Sequence, residues 1–167
     1  INHGHCHPKI IAALTAQAQK LTLTSRAFHS RLLGEYAEFI TQYFGYDKVL
    51  PMNTGVEAVE TALKLARRWG YTQKGIEEDR AVVLVCSENF HGRTINVISF
   101  STDESSREGF GPFVPGYEVI PYNDVNALAV ALKNKHVCAF LVEPIQGEAG
   151  VVVPDEGYLS TCAEMCR

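Results

Sequence analysis

The chain has 167 residues, 46% of them hydrophobic and 20% charged, a balance that suits a globular domain with a buried core. Its formal charge of −4 supplies no basic face of the kind that nucleic acid or an acidic membrane surface requires, so neither is expected as a partner. No apolar run reaches the roughly 20 residues of a membrane-spanning helix.

Ile1 is not an initiator methionine, and Tyr158 to Arg167 reads as an unfinished helix, so the chain is expected to be a piece of a longer protein. Cys6, Cys86, Cys138, Cys162 and Cys166 are odd in number, and three sit in or beside apolar stretches. That pattern fits a reduced, intracellular setting better than a disulfide framework.

In chain order, Pro8 followed by Ile10, Ile11, Leu14, Ala18 and Leu21 has the spacing of an amphipathic helix, with proline in its first turn. A second helix carries the stripe Leu32, Leu33, Tyr36, Phe39, Ile40 and Tyr43 and stops at Gly45. Lys48 to Asn53 reads as a strand or an extended approach to a third helix, from about Val56 to about Tyr71. That helix should turn Val59, Ala62, Leu63, Ala66 and Trp69 inward and pair Glu60 with Lys64 one turn on.

Arg80 to Cys86 has the continuous apolar run of a strand buried on both faces, and Val137 to Val142 repeats it after a helix starting near Asp124. Thr94 to Phe100 is a further candidate strand. The alternation predicts an α/β fold with a mostly parallel sheet flanked by helices. Ser101 to Tyr122, rich in Ser, Gly and Pro, is too long for a simple turn and marks a functional loop.

Three segments carry chemistry. Leu50 to Ala58 brings Thr54, Gly55 and Val56 to the opening of a helix, where free amides and the dipole suit a phosphate; a helix start capped by Asn53 or Thr54 reads the same way. Asn89-Phe90-His91-Gly92-Arg93-Thr94 follows a buried strand, where α/β sheets bind ligands. An aromatic ring there can stack on a heterocycle and an arginine fork can grip a carboxylate, although Phe90 in a core and Arg93 in a surface ion pair fit equally. Glu143 and Glu148 lie just past the second buried strand, placed to orient protons or pair with cations, or simply solvated. His3, His5, Cys6 and His7 lack zinc-ligand spacing, and no metal is expected.

Taken in order from Asn2-His3-Gly4-His5-Cys6-His7-Pro8, through Leu21 to Phe28, Leu50 to Ala58 and Gly109 to Gly116, to Gln146 to Asp155, these stretches resemble the class III aminotransferases of pyridoxal-phosphate fold type I. Within that family the ornithine-using members are most similar. The resemblance implies that residues 1–45 are a helical segment leading into a large domain and that 46–167 are the first part of that domain. The rest of the large domain and a C-terminal small domain would lie beyond the chain.

It further implies pyridoxal 5'-phosphate as cofactor. Thr54, Gly55 and Val56 would cradle its phosphate, Phe90 would stack on its ring with His91 beside it, and Arg93 would bind a substrate carboxylate. Glu143 would act near the cofactor, and Glu148 would pair with an arginine further along the chain and switch between two substrates. The implied reaction passes the δ-amine of ornithine to 2-oxoglutarate, yielding glutamate semialdehyde and glutamate, in a homodimer of the cytoplasm or mitochondrial matrix.

Acetylornithine and 4-aminobutyrate aminotransferases share several of these motifs and are the alternatives, as is a non-catalytic binding or dimerising module. None of the seven lysines lies in the motif that would hold the cofactor covalently, so the piece alone is expected to be inactive.

Overall fold

The computed structural model describes residues 3–167; Ile1 and Asn2, where the resembling run begins, lie outside the described residues. The chain forms two compact units, Ile1–Leu50 and Pro51–Arg167.

The first unit holds two helices. Helix α1 spans Pro8–Ala18, with Pro8 at its start and the His7 imidazole accepting from the Lys9 amide. Helix α2 spans Arg31–Phe44; the Ser30 hydroxyl caps its start, and Gly45 takes the left-handed conformation expected of a stop. The expected stripe on α2 is present but uncovered among the described residues, with Phe39 63% and Tyr43 71% exposed. The Arg31–Glu35 ion pair at 3.3 Å is also exposed and stabilises little.

The second unit is an α/β layer. Helix α3 (Gly55–Thr72) precedes strand β1 (Val82–Cys86), short helix α4 (Ile95–Ile98), strand β2 (Tyr117–Ile120), helix α5 (Val125–Ala131), strand β3 (Val137–Leu141) and helix α6 (Tyr158–Met165). The sheet order is β2-β1-β3, with both pairings parallel.

Because β1 is central, its alternating side chains feed two cores. Val83 and Val85 pack with Leu63, Val97 and Phe100, whereas Leu84 packs on the other side with Ile120, Leu128, Val137, Tyr158 and Cys162. Leu84 is wholly shielded, which stabilises the fold by about 1.5–3 kcal/mol relative to an exposed leucine.

Several expectations need correction. Thr94 to Phe100 is no strand: the Thr94 hydroxyl accepts from the Val97 amide and caps α4, and a short β-branched run does not distinguish strand from buried helix. The loop from Ser101 to Tyr122 contains a 3₁₀ turn at Glu104–Ser106 and the strand β2. Lys48 to Asn53 forms no strand. On α3, Leu63 is buried as expected, but Ala62 is exposed and Trp69 is 48% exposed. Glu60 makes no ion pair with Lys64 and bonds instead to Thr94 and Asn96 at the start of α4.

No helix among the described residues is long and apolar enough to cross a membrane. All five cysteines are free thiols. Burial pushes the Cys86 thiol up to about 11, partly offset by its contact with the Tyr158 hydroxyl at 3.9 Å. No group of three or more His, Cys, Asp or Glu among the described residues is arranged to hold a metal ion.

Candidate active site

The first wall of the site is the opening turn of α3. Thr54 stands in extended backbone as the capping residue, and its hydroxyl accepts from the Glu57 amide at 3.2 Å while contacting the Glu57 carboxylate at 3.3 Å. Asn53 plays no part in the cap. The amides of Gly55 and Val56 donate to no protein acceptor among the described residues, leaving two N–H groups at the positive end of an 18-residue helix.

The second wall leaves the carboxyl end of β1. Asn89, 8% exposed, donates to the carbonyls of Cys86 at 2.6 Å and Phe100 at 3.1 Å, clamping the loop to the strand it leaves and to the end of the α4 segment. Glu88 is held in left-handed backbone (φ 56), its amide donating to the Thr102 hydroxyl at 2.8 Å. Beyond it, Gly92 (φ 124) lies directly on α3: a Cβ there would stand 2.4 Å from Val56 Cγ2, so only glycine fits. That contact seats the Phe90–Arg93 loop against the turn bearing the free amides.

The third wall follows β3. The Phe90 amide donates to Glu143 Oε2 at 3.0 Å, joining the loops after β1 and β3. The Tyr122 hydroxyl donates to the carbonyls of Glu143 and Pro144, fixing the chain where it leaves the strand. Gln146, 2% exposed, donates to the Ser87 carbonyl at 2.7 Å and bridges in antiparallel fashion to Val152. Between them, Glu148 projects from an exposed loop and makes no hydrogen bond among the described residues. It lines a cleft of about 380 Å³ together with Glu88, Phe90, Ser101 and Thr102.

Phe90 is 36% exposed, and the Arg93 guanidinium lies 5.5 Å over its ring, a cation–π distance. A second cleft, about 310 Å³, is lined by Arg93 with Ile95, Ile98, Ser105, Ser106 and Phe110. The His91 ring packs 5.9 Å from that of Phe100, and its shielded Nε2 has no hydrogen-bond partner among the described residues. Burial holds the imidazole below its ordinary 6.5, while the Glu143 carboxylate pulls it up; the first effect is the larger.

Thus Val56 and Gly92 meet, Phe90 meets both Glu143 and Arg93, and Glu148 shares a cleft with Phe90. Among the described residues Thr54 makes no hydrogen bond to either loop; its bonds stay within its own helix turn. Sequence reasoning missed Asn89, Gln146, Tyr122 and Glu60. Asn89 and Gln146 do carry one retrospective signal, as polar residues next to apolar strands that must find partners when buried. Of the lysines, Lys74 is engaged at the far end of the sheet, donating to the Val137 carbonyl at 2.6 Å.

The family model Aminotransferase class-III matches residues 1–167. The chain belongs to the class III aminotransferases. Among members of that family it is 63% identical over 166 residues to the mitochondrial ornithine aminotransferase of Drosophila melanogaster, covering 99% of this chain and 38% of the fly protein.

A solved structure of the ornithine aminotransferase of Toxoplasma gondii, with partially occupied PLP at its active site, superposes with a TM-score of 0.94 at 55% identity, over 99% of this chain and 39% of that one. The acetylornithine aminotransferase of Elizabethkingia anophelis gives a TM-score of 0.80 at 56% identity, over 99% and 40%. The chain therefore spans about two fifths of the length of these class III relatives, and its α/β layer with a parallel sheet is part of the aminotransferase fold.

Proposed function

We propose that this chain forms part of the cofactor- and substrate-binding region of a pyridoxal-phosphate-dependent transaminase. The whole protein would move the δ-amino group of L-ornithine to 2-oxoglutarate, yielding glutamate 5-semialdehyde and glutamate. The observation that carries the reading is the seating of Gly92 on Val56, which brings the loop bearing an exposed ring and a guanidinium against the helix start with its two free amides, at the carboxyl end of a parallel sheet.

The residues present fit a phosphorylated heterocycle. Gly55 and Val56 offer unpartnered amides to a phosphate, with Thr54 holding the turn in shape. Phe90 has one face toward Arg93 and a second for a flat ring, while the shielded, unpartnered Nε2 of His91 awaits a polar neighbour. When bound, the cofactor supplies the electron sink that transamination needs.

The protein's part is orientation. Arg93, with its planar fork, grips a substrate carboxylate through two parallel hydrogen bonds. Glu143 fixes the Phe90 backbone and keeps a negative charge near His91. Glu148, on its exposed loop, pairs with a cation supplied by the rest of the protein for one substrate and releases it for the other.

For the whole protein we propose a homodimer acting on ornithine, 2-oxoglutarate and glutamate inside the cell, in the cytosol or the mitochondrial matrix. The mitochondrial designation of the fly relative supports the latter. Residues 1–45 would lead into the large domain that begins at residue 46.

The second reading is transamination of acetylornithine, which rests on the 56% identity to the Elizabethkingia enzyme, whereas the 63% identity to the fly enzyme favours ornithine. Steady-state rates of the full-length protein with ornithine, acetylornithine and 4-aminobutyrate test the assignment. Ornithine is expected to give the highest kcat/KM, and a clear preference for either competitor overturns it.

A further inference from the structure

Glu60 lies one turn beyond Val56 on the same face of α3, and no cation partners it among the described residues. Its two carboxylate oxygens take separate donors. The Thr94 hydroxyl donates to Oε1, and the Asn96 amide donates to Oε2 at 2.7 Å. Asn96 in turn accepts from the Tyr117 hydroxyl at 2.6 Å, so its amide nitrogen is turned toward Glu60. Tyr117 is covered by Arg67, whose guanidinium lies 5.0 Å over the ring and donates to the Pro115 carbonyl.

Along one helix face, Val56 therefore meets Gly92, and Glu60 meets Thr94 and Asn96. Arg93 is the residue in between. With its neighbours pinned to α3, its own side chain is directed elsewhere, over the Phe90 ring and into the cleft with Ile98, Ser105 and Phe110. Charge-assisted hydrogen bonds to a half-buried carboxylate are stronger than neutral ones, and a bidentate grip loses much of its effect when its fork is misplaced by about 1 Å.

The geometry points to Glu60 as a positioning residue that sets the direction of Arg93, coupling the helix that offers the phosphate amides to the segment that grips the substrate carboxylate. This rests on the role proposed above for Arg93. Both carboxylate oxygens of Glu60 are committed to Thr94 and Asn96, and it acts through them.

The test uses the full-length protein reconstituted with pyridoxal phosphate. Arg93→Ala first establishes how far the KM for ornithine or 2-oxoglutarate rises when the grip is lost. Glu60→Leu is then expected to raise the same KM about tenfold while kcat stays within about threefold and cofactor affinity, titrated by absorbance, stays within about twofold. Glu60→Gln keeps an acceptor for Asn96 and lets the Thr94 hydroxyl turn to accept, so it should recover KM to within about threefold of the parent. In the Arg93→Ala background, adding Glu60→Leu should change KM by less than about twofold, because the two residues act in series.

Glu60→Leu that leaves KM unchanged, Gln as damaging as Leu, or full additivity with Arg93→Ala would each overturn the positioning role while leaving the reading of Arg93 intact. If Arg93→Ala itself leaves KM unchanged, both fall. Should Glu60→Leu fail to fold, Asn96→Asp, which keeps the acceptor for the Tyr117 hydroxyl and removes the amide donated to Glu60, decides by the same comparison: a raised KM supports the role and an unchanged one removes it.

Discussion

The Phe90 amide donates to Glu143 Oε2 at 3.0 Å, a bond that spans 53 residues and holds the loops after two neighbouring parallel strands together. Glu143→Ala removes the acceptor and is expected to cost about 1 kcal/mol, the lower end of the range because the amide is exposed enough to find water. Chemical denaturation of the full-length protein measures it. Glu143→Gln, which keeps an acceptor oxygen, should cost less than the alanine variant; an equal loss would show that the bond is not what the carboxyl group contributes.

His91 gives the fold a pH dependence of definite sign. Burial lowers its folded-state value below the ordinary 6.5, so the unfolded chain binds the proton more readily. The stabilising contribution is present above 6.5 and is lost as pH falls through the folded-state value. Following the imidazole by NMR should show titration below 6.5, and Glu143→Gln should shift it lower still, since the carboxylate opposes the burial effect. A titration moved upward in that variant would contradict the assignment of causes.

At Gly92 the effect is steric. A Cβ there meets Val56 Cγ2 at 2.4 Å and Cβ at 2.7 Å, in backbone that L side chains rarely adopt. Gly92→Ala should destabilise by about 3 kcal/mol, combining left-handed strain and overpacking. Adding Val56→Ala should return part of the loss, the share due to Cγ2, while the backbone strain and the 2.7 Å approach to the Cβ of residue 56 persist. Thermal melts of the single and double variants separate the two.

The phosphate assignment predicts a difference between two ligands. If the Gly55 and Val56 amides each make a charge-assisted hydrogen bond of about 1.5 kcal/mol, pyridoxal phosphate should bind about 100-fold more tightly than pyridoxal. Equilibrium titration of the full-length protein provides the ratio. Equal affinities would remove the helix start from the site.

Glu148→Ala should shift the ratio of kcat/KM for ornithine over glutamate toward glutamate by about tenfold, the worth of one lost pairing interaction of about 1.4 kcal/mol. Competing half-reactions under single-turnover conditions measure it. An unchanged ratio would mean that the exposed carboxylate is no switch.

What could be read from residues alone depended on range. The unbroken run Ala81 to Val85 announced a strand buried on both sides, Gly45 announced the end of α2, and Asp124 announced the start of α5, because each is a local matter of periodicity or capping. The helix at Ile95–Ile98 was hidden by its β-branched composition, and β2 by the exposed Val119 and the charged Glu118 within it. Glu60 illustrates the deeper limit. Its helical spacing pointed to Lys64, but a partly buried carboxylate goes to the donors that share its burial, and Thr94 and Asn96 are more than 30 residues away.

The central place of β1 has its counterpart at the margins of the sheet. β2 and β3 each pair on one side only among the described residues, leaving a row of backbone donors and acceptors with no strand beside it. Such rows recruit other chains, so this segment produced by itself will be prone to self-association through its outer strands. Dilution, or a co-expressed polypeptide that zips onto those margins, will govern how much of it stays dispersed.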